Sequence, residues 1–206
     1  MKIIESDFFW NGVLSKRALT KYIVLHHRAG EGDAESIHSQ HLSQGWDGIG
    51  YHFYIRKNGE VYRGRPIDKI GAHTQGSNSC SVGICFEGNY ETDKEMPKAQ
   101  LEAGQELVSY IKKLYPGAEV KGHRDLQSTA CPGKNFPFKE ITEGEDKDAG
   151  MIVYNTVKDC PVWAQSYVEK AESLGWIRGN EKGQLKLNDD KIWMLVVLLR
   201  AQGIMN

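Results

Sequence analysis

The sequence predicts an α/β fold around a mixed β-sheet, followed by a small and mainly helical C-terminal module. Short apolar runs rich in β-branched residues alternate with amphipathic helical patterns through residues 1–142. Strands on both sides of helices are typical of an α/β domain. An acidic stretch then separates this segment from residues 152–206, whose apolar pattern is helical.

Three strand regions are indicated in the first segment. Residues 22–25 (YIVL) form a short apolar run, and we expect them to be a buried strand that ends at His26. Residues 51–56 and 60–63 flank an Asn-Gly pair, the dipeptide most typical of a two-residue β-hairpin turn. Residues 81–87 (SVGICFE) form a further strand candidate.

Two helices are predicted in the same segment. Residues 33–45 open with Asp33, a residue type that caps helix N-termini, and close at Gly45. In residues 97–115, Leu101, Leu107 and Ile111 belong to an apolar set at helical spacing. The Pro-Gly pair that follows is expected to end this long helix.

The charge distribution divides the chain into three parts. Residues 1–142 contain 18 Lys and Arg against 17 Asp and Glu, whereas residues 143–150 contain one basic and four acidic residues. The acidic stretch has no apolar residue except Ala149, which is typical of a linker. We therefore expect a domain over 1–142, an acidic linker over 143–151 and a C-terminal module over 152–206.

The composition argues against several classes of protein. The chain has 26 Lys and Arg against 27 Asp and Glu, so its net charge of −1 lacks the basic excess of a nucleic-acid binder. The longest apolar run, residues 192–199, is far shorter than the ~20 residues of a membrane helix, so we expect no membrane insertion. The N-terminus lacks the apolar core of a signal peptide. We therefore expect a cytoplasmic protein that something else must release.

Two short patterns carry residue types that bind zinc. His26 follows the first predicted strand, and Cys131 follows His123 by eight residues. His and Cys are usual zinc ligands, and three protein ligands leave a fourth position open, as in catalytic zinc sites. A single His is nevertheless more often a surface or core residue, and a single Cys is usually a small buried hydrophobe. We expect the remaining candidates to be structural or surface residues: His27, His38, His41, His52, Cys80, Cys85 and Cys160.

Residues ~20–140 resemble the zinc-dependent N-acetylmuramoyl-L-alanine amidases of type 2. This family includes peptidoglycan recognition proteins and many phage endolysins. The matching stretches occur in the family's order over almost the whole first segment, which makes the resemblance specific. They are IVLHH at 23–27, GWDGIGYHF at 45–53, NGEVYRG at 58–64, GAHT at 71–74, NSCSVGICFEG at 78–88 and GHRDLQSTACPG at 122–133.

The resemblance implies a central mixed sheet flanked by helices, with a zinc-bearing groove on one side. It also implies hydrolysis of the amide bond between the lactyl group of N-acetylmuramic acid and L-alanine in peptidoglycan. His26, His123 and Cys131 fall on the family's zinc-ligand positions, which implies one Zn²⁺ ion as cofactor. Tyr51 falls on a tyrosine that contacts the zinc-bound water or the substrate carbonyl.

Further site residues follow from the same resemblance. Thr129 stands where some relatives have lysine, so it could donate one hydrogen bond to an oxyanion but brings no positive charge. Some relatives have a catalytic glutamate where this chain has Cys85, and here Tyr51 would have to serve instead. His73 and Asn78 fall on positions that line the substrate groove.

The C-terminal module is expected to contain two helices. Pro161 could occupy the first turn of a helix that ends at Gly175, and Asn188 or Asp189 could cap a last helix that is apolar on nearly all faces. The pattern loosely resembles a single S-layer-homology unit, a type that binds cell-wall polymers.

The alternative interpretation of this module is a helical appendage that packs on the first domain or self-associates. Trp163, Trp176 and Trp193 could stack on sugar rings, but in so short a module we expect them to form its core.

Three functions remain open from the sequence: a peptidoglycan amidase, a non-catalytic peptidoglycan receptor, and a protein with a structural zinc. Cys131 favours the amidase, because a pure receptor has no need of a thiolate zinc ligand. The missing signal peptide favours a phage or prophage endolysin over a secreted autolysin.

Overall fold

The computed structural model describes residues 2–143 and 154–205. The chain divides into two compact units, Met1–Glu145 and Asp146–Asn206. Of the acidic segment 143–151, expected to be a linker, only Glu143 is described, and it is the last residue of a helix. The rest of that segment lies outside the described residues.

The first unit is built on a single six-stranded sheet. Its strands in chain order are β1 (Ile3–Ile4), β2 (Tyr22–His27), β3 (Phe53–Ile55), β4 (Val61–Arg63), β5 (Ser81–Phe86) and β6 (Glu119–Gly122). Their spatial order is β1-β4-β3-β5-β2-β6. Neighbouring strands are parallel except for β3 and β4, which form an antiparallel hairpin. The mixed sheet and the α/β class are therefore confirmed.

Three helices accompany the sheet: α1 (Ala34–Ser43), α2 (Lys98–Leu114) and α3 (Phe138–Glu143). The carboxylate of Asp33 accepts the backbone N–H of Ser36 at 2.8 Å, which confirms this residue as the N-cap of α1. The predicted hairpin is also present, but its loop has three residues, since the N–H of Arg56 donates to the carbonyl of Glu60 at 2.9 Å. Gly59 in this loop adopts a φ of +89°, which favours glycine.

Apolar side chains pack against both faces of the sheet. One face joins α2 and α3 in the larger core, to which β2 contributes Ile23 and Leu25. The opposite face packs Tyr54 and Cys85 with residues of α1. Because side chains alternate along a strand, His26 shares this second face. The side of the sheet that faces α1 is therefore where the candidate site forms.

The second unit is mainly helical, as predicted. It contains α4 (Val162–Ser173) and α5 (Asp189–Ala201), with an isolated bridge between Tyr154 and Leu187. Pro161 is the N-cap of α4 and not part of its first turn, whereas Asn188 caps α5 by accepting the N–H of Lys191 at 2.9 Å. Apolar residues from both helices form a separate core.

The expectation that tryptophans form the core of this module is wrong for two of them. Trp176 is 38% exposed and Trp193 is 54% exposed, while smaller residues such as Ala164, Val168 and Leu199 are buried. The side chain of Trp163 lies outside the described residues. Within the described parts of the chain, no helix combines the length and apolar character needed to cross a membrane.

Candidate metal centre

His26 lies near the end of β2, one strand in from the β6 edge of the sheet and on the face covered by α1. It is paired in register with Cys85 of β5, and only 1% of its surface is exposed. Pairing with β5 continues through His26 and pairing with β6 ends at the preceding residue, so the backbone that carries the ring is held in the sheet. The position therefore supplies a buried imidazole on a rigid element.

His123 reaches the same place from the neighbouring strand. Gly122, the last residue of β6, is in register with Leu25, so the chain leaves the sheet beside His26. A short 3-10 turn then begins at His123, and the carboxylate of Asp125 accepts the Gly122 N–H at 2.7 Å. The centroids of the two histidine rings are 4.5 Å apart.

Cys131 returns to the cluster through the loop after this turn. The N–H of Arg124 donates to the carbonyl of Cys131 at 2.9 Å, which ties the two ends of the loop together. Ligand atoms of His26, His123 and Cys131 all lie within 4.8 Å of one another. The structure thus brings together the three residues that the sequence suggested as zinc ligands.

The donor set fits zinc, and the ring nitrogens show which atoms face the centre. The Sγ atom of Cys131 lies 3.8 Å from Nδ1 of His26. The other nitrogen of His26, Nε2, lies 3.0 Å from Nδ1 of His73. Nε2 of His123 lies 2.5 Å from Oε1 of Gln127, so this nitrogen also has a partner. Two imidazoles and one thiolate are a usual set of three protein ligands for zinc, and they leave the fourth coordination position open.

Burial sets the ionisation of these groups in the chain alone. It lowers the pKa of His26 well below the ordinary value, and the nearby His123 and His27 lower it further. The imidazole is therefore neutral at pH 7, the form that binds metals. Burial also raises the pKa of the Cys131 thiol to about 11. A bound cation would reverse that preference, because metal ions stabilise the thiolate.

Tyr51 lies beside the cluster, with its ring centroid 5.1 Å from that of His26. Its pKa is raised well above the ordinary value, first by burial and then by the neighbouring Cys85 and Cys131. The hydroxyl also forms a hydrogen bond with the thiol of Cys85. Tyr51 therefore keeps its proton at neutral pH, and turning that proton from Cys85 to a substrate would make it a hydrogen-bond donor.

Thr129 lies in the loop that carries Cys131. Its Oγ1 accepts the N–H of Cys131 at 3.2 Å, and its side chain is exposed. The acceptor role leaves the threonine hydroxyl hydrogen free to point elsewhere. Thr129 thus shapes the ligand loop and can donate one hydrogen bond.

His73 and Asn78 are joined to each other and to the cluster by hydrogen bonds. His73 is only 8% exposed and lies against His26. The side-chain oxygen of Asn78 accepts the backbone N–H groups of His73 and Thr74, each at 2.8 Å. Asn78 therefore holds the loop that carries His73.

The other histidines are buried hydrogen-bond acceptors, in line with the structural interpretation. Each accepts a backbone N–H at Nδ1 over 3.0–3.1 Å. The pairs are His27 with Tyr90, His38 with Ile49, His41 with Gly50 and His52 with Gly83.

Gln127 is the site residue that sequence reasoning missed. It follows His123 by four residues, and its N–H donates to the His123 carbonyl at 3.0 Å. A turn of this length returns the side chain to the histidine that starts it. The four-residue spacing after a candidate ligand was the available signal.

These features define an α/β protein with a His-His-Cys centre on one face of its sheet. The chain matches the N-acetylmuramoyl-L-alanine amidase family over residues 16–134, and it belongs to this family. The matched region contains the whole His-His-Cys centre together with Tyr51 and Thr129. The second unit lies beyond it.

The relatives include both endolysins and recognition proteins. The endolysin of Klebsiella phage KP32 is 36% identical over 137 residues, which cover 63% of this chain and 89% of that protein. Peptidoglycan-recognition protein SC2 of Drosophila melanogaster is 36% identical over 150 residues, 65% of this chain and 81% of that protein. Among solved structures, N-acetylmuramoyl-L-alanine amidase LysC from Clostridium intestinale URNW is 39% identical with a TM-score of 0.68, covering 70% of this chain and 97% of that one.

Proposed function

We propose that this chain hydrolyses the amide bond between the lactyl group of N-acetylmuramic acid and L-alanine in peptidoglycan. Its single Zn²⁺ ion would be held by His26, His123 and Cys131. The observation that carries this proposal is the convergence of these three side chains, with ligand atoms within 4.8 Å of one another. Membership of the amidase family and the endolysin relatives support it.

Zinc held by this set would supply a Lewis acid that polarises an amide carbonyl and activates water at neutral pH. Tyr51 contributes a phenol that stays protonated beside the centre. Its hydroxyl donates a hydrogen bond to the carbonyl oxygen as negative charge develops there. One well-placed donor of this kind lowers the barrier by about 3–4 kcal/mol.

Thr129 is the second donor in this proposal. Its Oγ1 lone pair accepts the Cys131 N–H, so the hydroxyl is oriented by the same loop that carries the ligand. A neutral hydroxyl offers direction but no charge, so its contribution is smaller than that of a cationic side chain.

The alternative function is peptidoglycan recognition without catalysis, and the relatives that are recognition proteins support it. The thiol of Cys131 favours catalysis. A receptor needs a groove of suitable shape, whereas a thiol 3.8 Å from an imidazole nitrogen is suited to binding a metal. A structural zinc is the third possibility, but a structural site is closed by four protein ligands. The cluster found among the described residues has three.

The test is digestion of purified sacculi followed by mass spectrometry, with the zinc content of the protein measured in parallel. We expect stem peptides with a new free L-alanine N-terminus and about one zinc per chain. Cys131→Ser should lose both, whereas Cys160→Ser changes a thiol of the second unit and should retain both. Zinc-free wild-type protein that still releases stem peptides, or zinc-loaded protein that releases none, would contradict the proposal.

For the second unit we propose cell-wall binding by residues 152–206, joined to the catalytic domain 1–142 by the acidic segment 143–151. Partly exposed Trp176 and Trp193 support it, because an exposed aromatic ring can stack on a sugar. Self-association is the alternative, since α5 also exposes Met194, Val197 and Leu198.

Removing the second unit separates these alternatives. If it binds the wall, a chain ending at residue 145 loses sedimentation with sacculi but still cleaves soluble muropeptides. If it mediates self-association, the same truncation lowers the mass measured by light scattering to that of a monomer. Truncated protein that still sediments as well as the full chain would contradict the targeting role.

A further inference from the structure

We propose that His73 and Gln127 are positioning residues, which hold the two ligand histidines in the tautomer that leaves Nδ1 to the metal. The inference rests on the metal centre proposed above. It gives His73 a role other than substrate contact, and it gives Gln127 a role in the same site. Each acts through one histidine: His73 on His26, and Gln127 on His123.

The first pair is almost perpendicular and in direct hydrogen-bond contact. Nε2 of His26 lies 3.0 Å from Nδ1 of His73, and the two rings meet at 86°. Nδ1 of His26 is the nitrogen that faces Cys131. If this nitrogen binds a metal, the ring proton must be on Nε2, where it can only be donated. His73 is then the nearer acceptor at 3.0 Å, since Oγ1 of Thr74 lies 3.4 Å from the same nitrogen.

A continuous set of hydrogen bonds favours one tautomer of His73, and the hydroxyl of Thr74, 2.9 Å from Nδ1, can donate to that nitrogen in the same tautomer. If Nδ1 accepts from His26, the proton of neutral His73 is on Nε2, 3.4 Å from Oγ of Ser81. The Ser81 hydroxyl in turn donates to the backbone carbonyl of Ser77 at 2.7 Å. A carbonyl can only accept, so the direction of the whole chain of hydrogen bonds is set from this end. Every donor in it points away from the metal centre.

The ring of His73 is also held by its packing. A Cβ atom built on Gly71 would lie 2.5 Å from the ring, and one built on Gly83 would lie 2.6 Å from it. Asn78 fixes the backbone on the other side by accepting two N–H groups. The acceptor nitrogen is thus held in place by two glycine backbones and one amide. A residue that orients a metal ligand through a hydrogen bond must itself be held in a fixed position, and His73 meets this requirement.

The second pair uses a different residue type in the same role. Oε1 of Gln127 lies 2.5 Å from Nε2 of His123, and an amide oxygen can only accept. The proton of His123 is therefore on Nε2, which leaves Nδ1 for the metal. Both acceptors are neutral, so neither adds negative charge to a set that already contains one thiolate.

Metal affinity is the direct readout, measured by competition against a chromophoric chelator on the full chain. Losing an outer partner typically weakens metal binding by about 10- to 100-fold. We expect that loss for His73→Leu and Gln127→Leu. The acceptor-retaining variant His73→Gln should recover part of it, and Gln127→Glu should match or exceed wild-type affinity because a carboxylate is a stronger acceptor. His38→Gln is the matched control, because His38 is a buried acceptor without contact to the cluster.

A second measurement needs no substitution. Long-range ¹H–¹⁵N spectra of the zinc-loaded wild-type protein should show His26 and His123 protonated at Nε2, and neutral His73 protonated at Nε2 as well. Cobalt loading should give an absorption spectrum that shifts in Gln127→Leu but not in His38→Gln.

Different results would contradict the proposed amidase function and the positioning role of His73 and Gln127. Wild-type protein that binds no zinc would overturn the proposed function and this inference together. Zinc-binding, active protein in which His73→Leu and Gln127→Leu retain full affinity would overturn the positioning role alone. A His73 proton on Nδ1 in the loaded protein would do the same.

Discussion

The Sγ atom of Cys131 lies 3.8 Å from Nδ1 of His26, although 105 residues separate them in the chain. The contact arises because His26 lies near the end of β2 and Cys131 lies on the loop that follows the adjacent strand, β6. His123 is on the same loop and completes the cluster. Two neighbouring parallel strands are thus sufficient to assemble the centre, and the groups around it can be tested one at a time.

Tyr51→Phe is expected to lower turnover of a soluble muropeptide by about 10²–10³-fold, because one donor to the developing oxyanion is lost. The ring remains, so packing against His26 and the zinc content should stay at wild-type levels. Both quantities, the turnover rate and the number of zinc ions per chain, are measured on the same preparation of the variant. Loss of zinc in this variant would show that Tyr51 maintains the metal site and would contradict its role as a donor.

Thr129→Ala is expected to lower the rate less than Tyr51→Phe does. The substitution removes a neutral donor and also the acceptor of the Cys131 N–H, so a modest loss of zinc affinity accompanies it. Thr129→Ser keeps both functions and should retain most of the activity. Equal activity of the alanine and serine variants would contradict a role for the hydroxyl.

Gly83→Ala is expected to weaken zinc binding without touching a ligand. The new methyl group would lie 2.6 Å from the ring of His73, so the ring must shift and its hydrogen bond with His26 is disturbed. Overpacking of this kind typically destabilises a protein by about 1–3 kcal/mol. Gly30→Ala is the control, because a Cβ there meets nothing within 4 Å. Urea unfolding and chelator competition on both variants measure the two effects, and wild-type zinc affinity in Gly83→Ala would contradict the prediction.

The metal-free protein is expected to lose stability as the pH falls below about 6.5, the ordinary pKa of histidine. Burial lowers the pKa of His41 to about 4 and that of His52 to about 3. Between these values and 6.5 the unfolded chain binds protons that the folded chain does not. Each histidine then removes about 1.4 kcal/mol per pH unit, whereas its contribution is complete above pH 6.5.

His41→Gln isolates one of these contributions. The amide oxygen can still accept the N–H of Gly50, which His41 accepts at 3.0 Å, but it does not titrate. The free energy of unfolding of this variant should therefore fall less steeply than that of the wild type between pH 6.5 and pH 4.5. Parallel curves in urea titrations across this range would contradict the assignment.

Much of the fold could be predicted because its signals are local. The N-cap of α1, the glycine of the hairpin turn and the apolar spacing of α2 each depend on neighbours within a few residues. The tryptophans of the second unit could not be placed in this way. Trp193 lies on α5 and Trp176 follows the end of α4, so the burial of each depends on how the two helices pack, and smaller residues fill that core.

The sequence by itself determined the α/β class, the family and the residue types suited to a zinc site. Motifs such as GHRDLQSTACPG consist of residue types at fixed short spacings, so they can be recognised in the sequence alone. Only the tertiary structure decided that His26, His123 and Cys131 converge, and that His73 lies against His26 under the constraint of two glycines. The physical reason is that hydrogen-bond partners and packing distances arise between residues far apart in the chain. The sheet that joins those residues has no signature in any one segment.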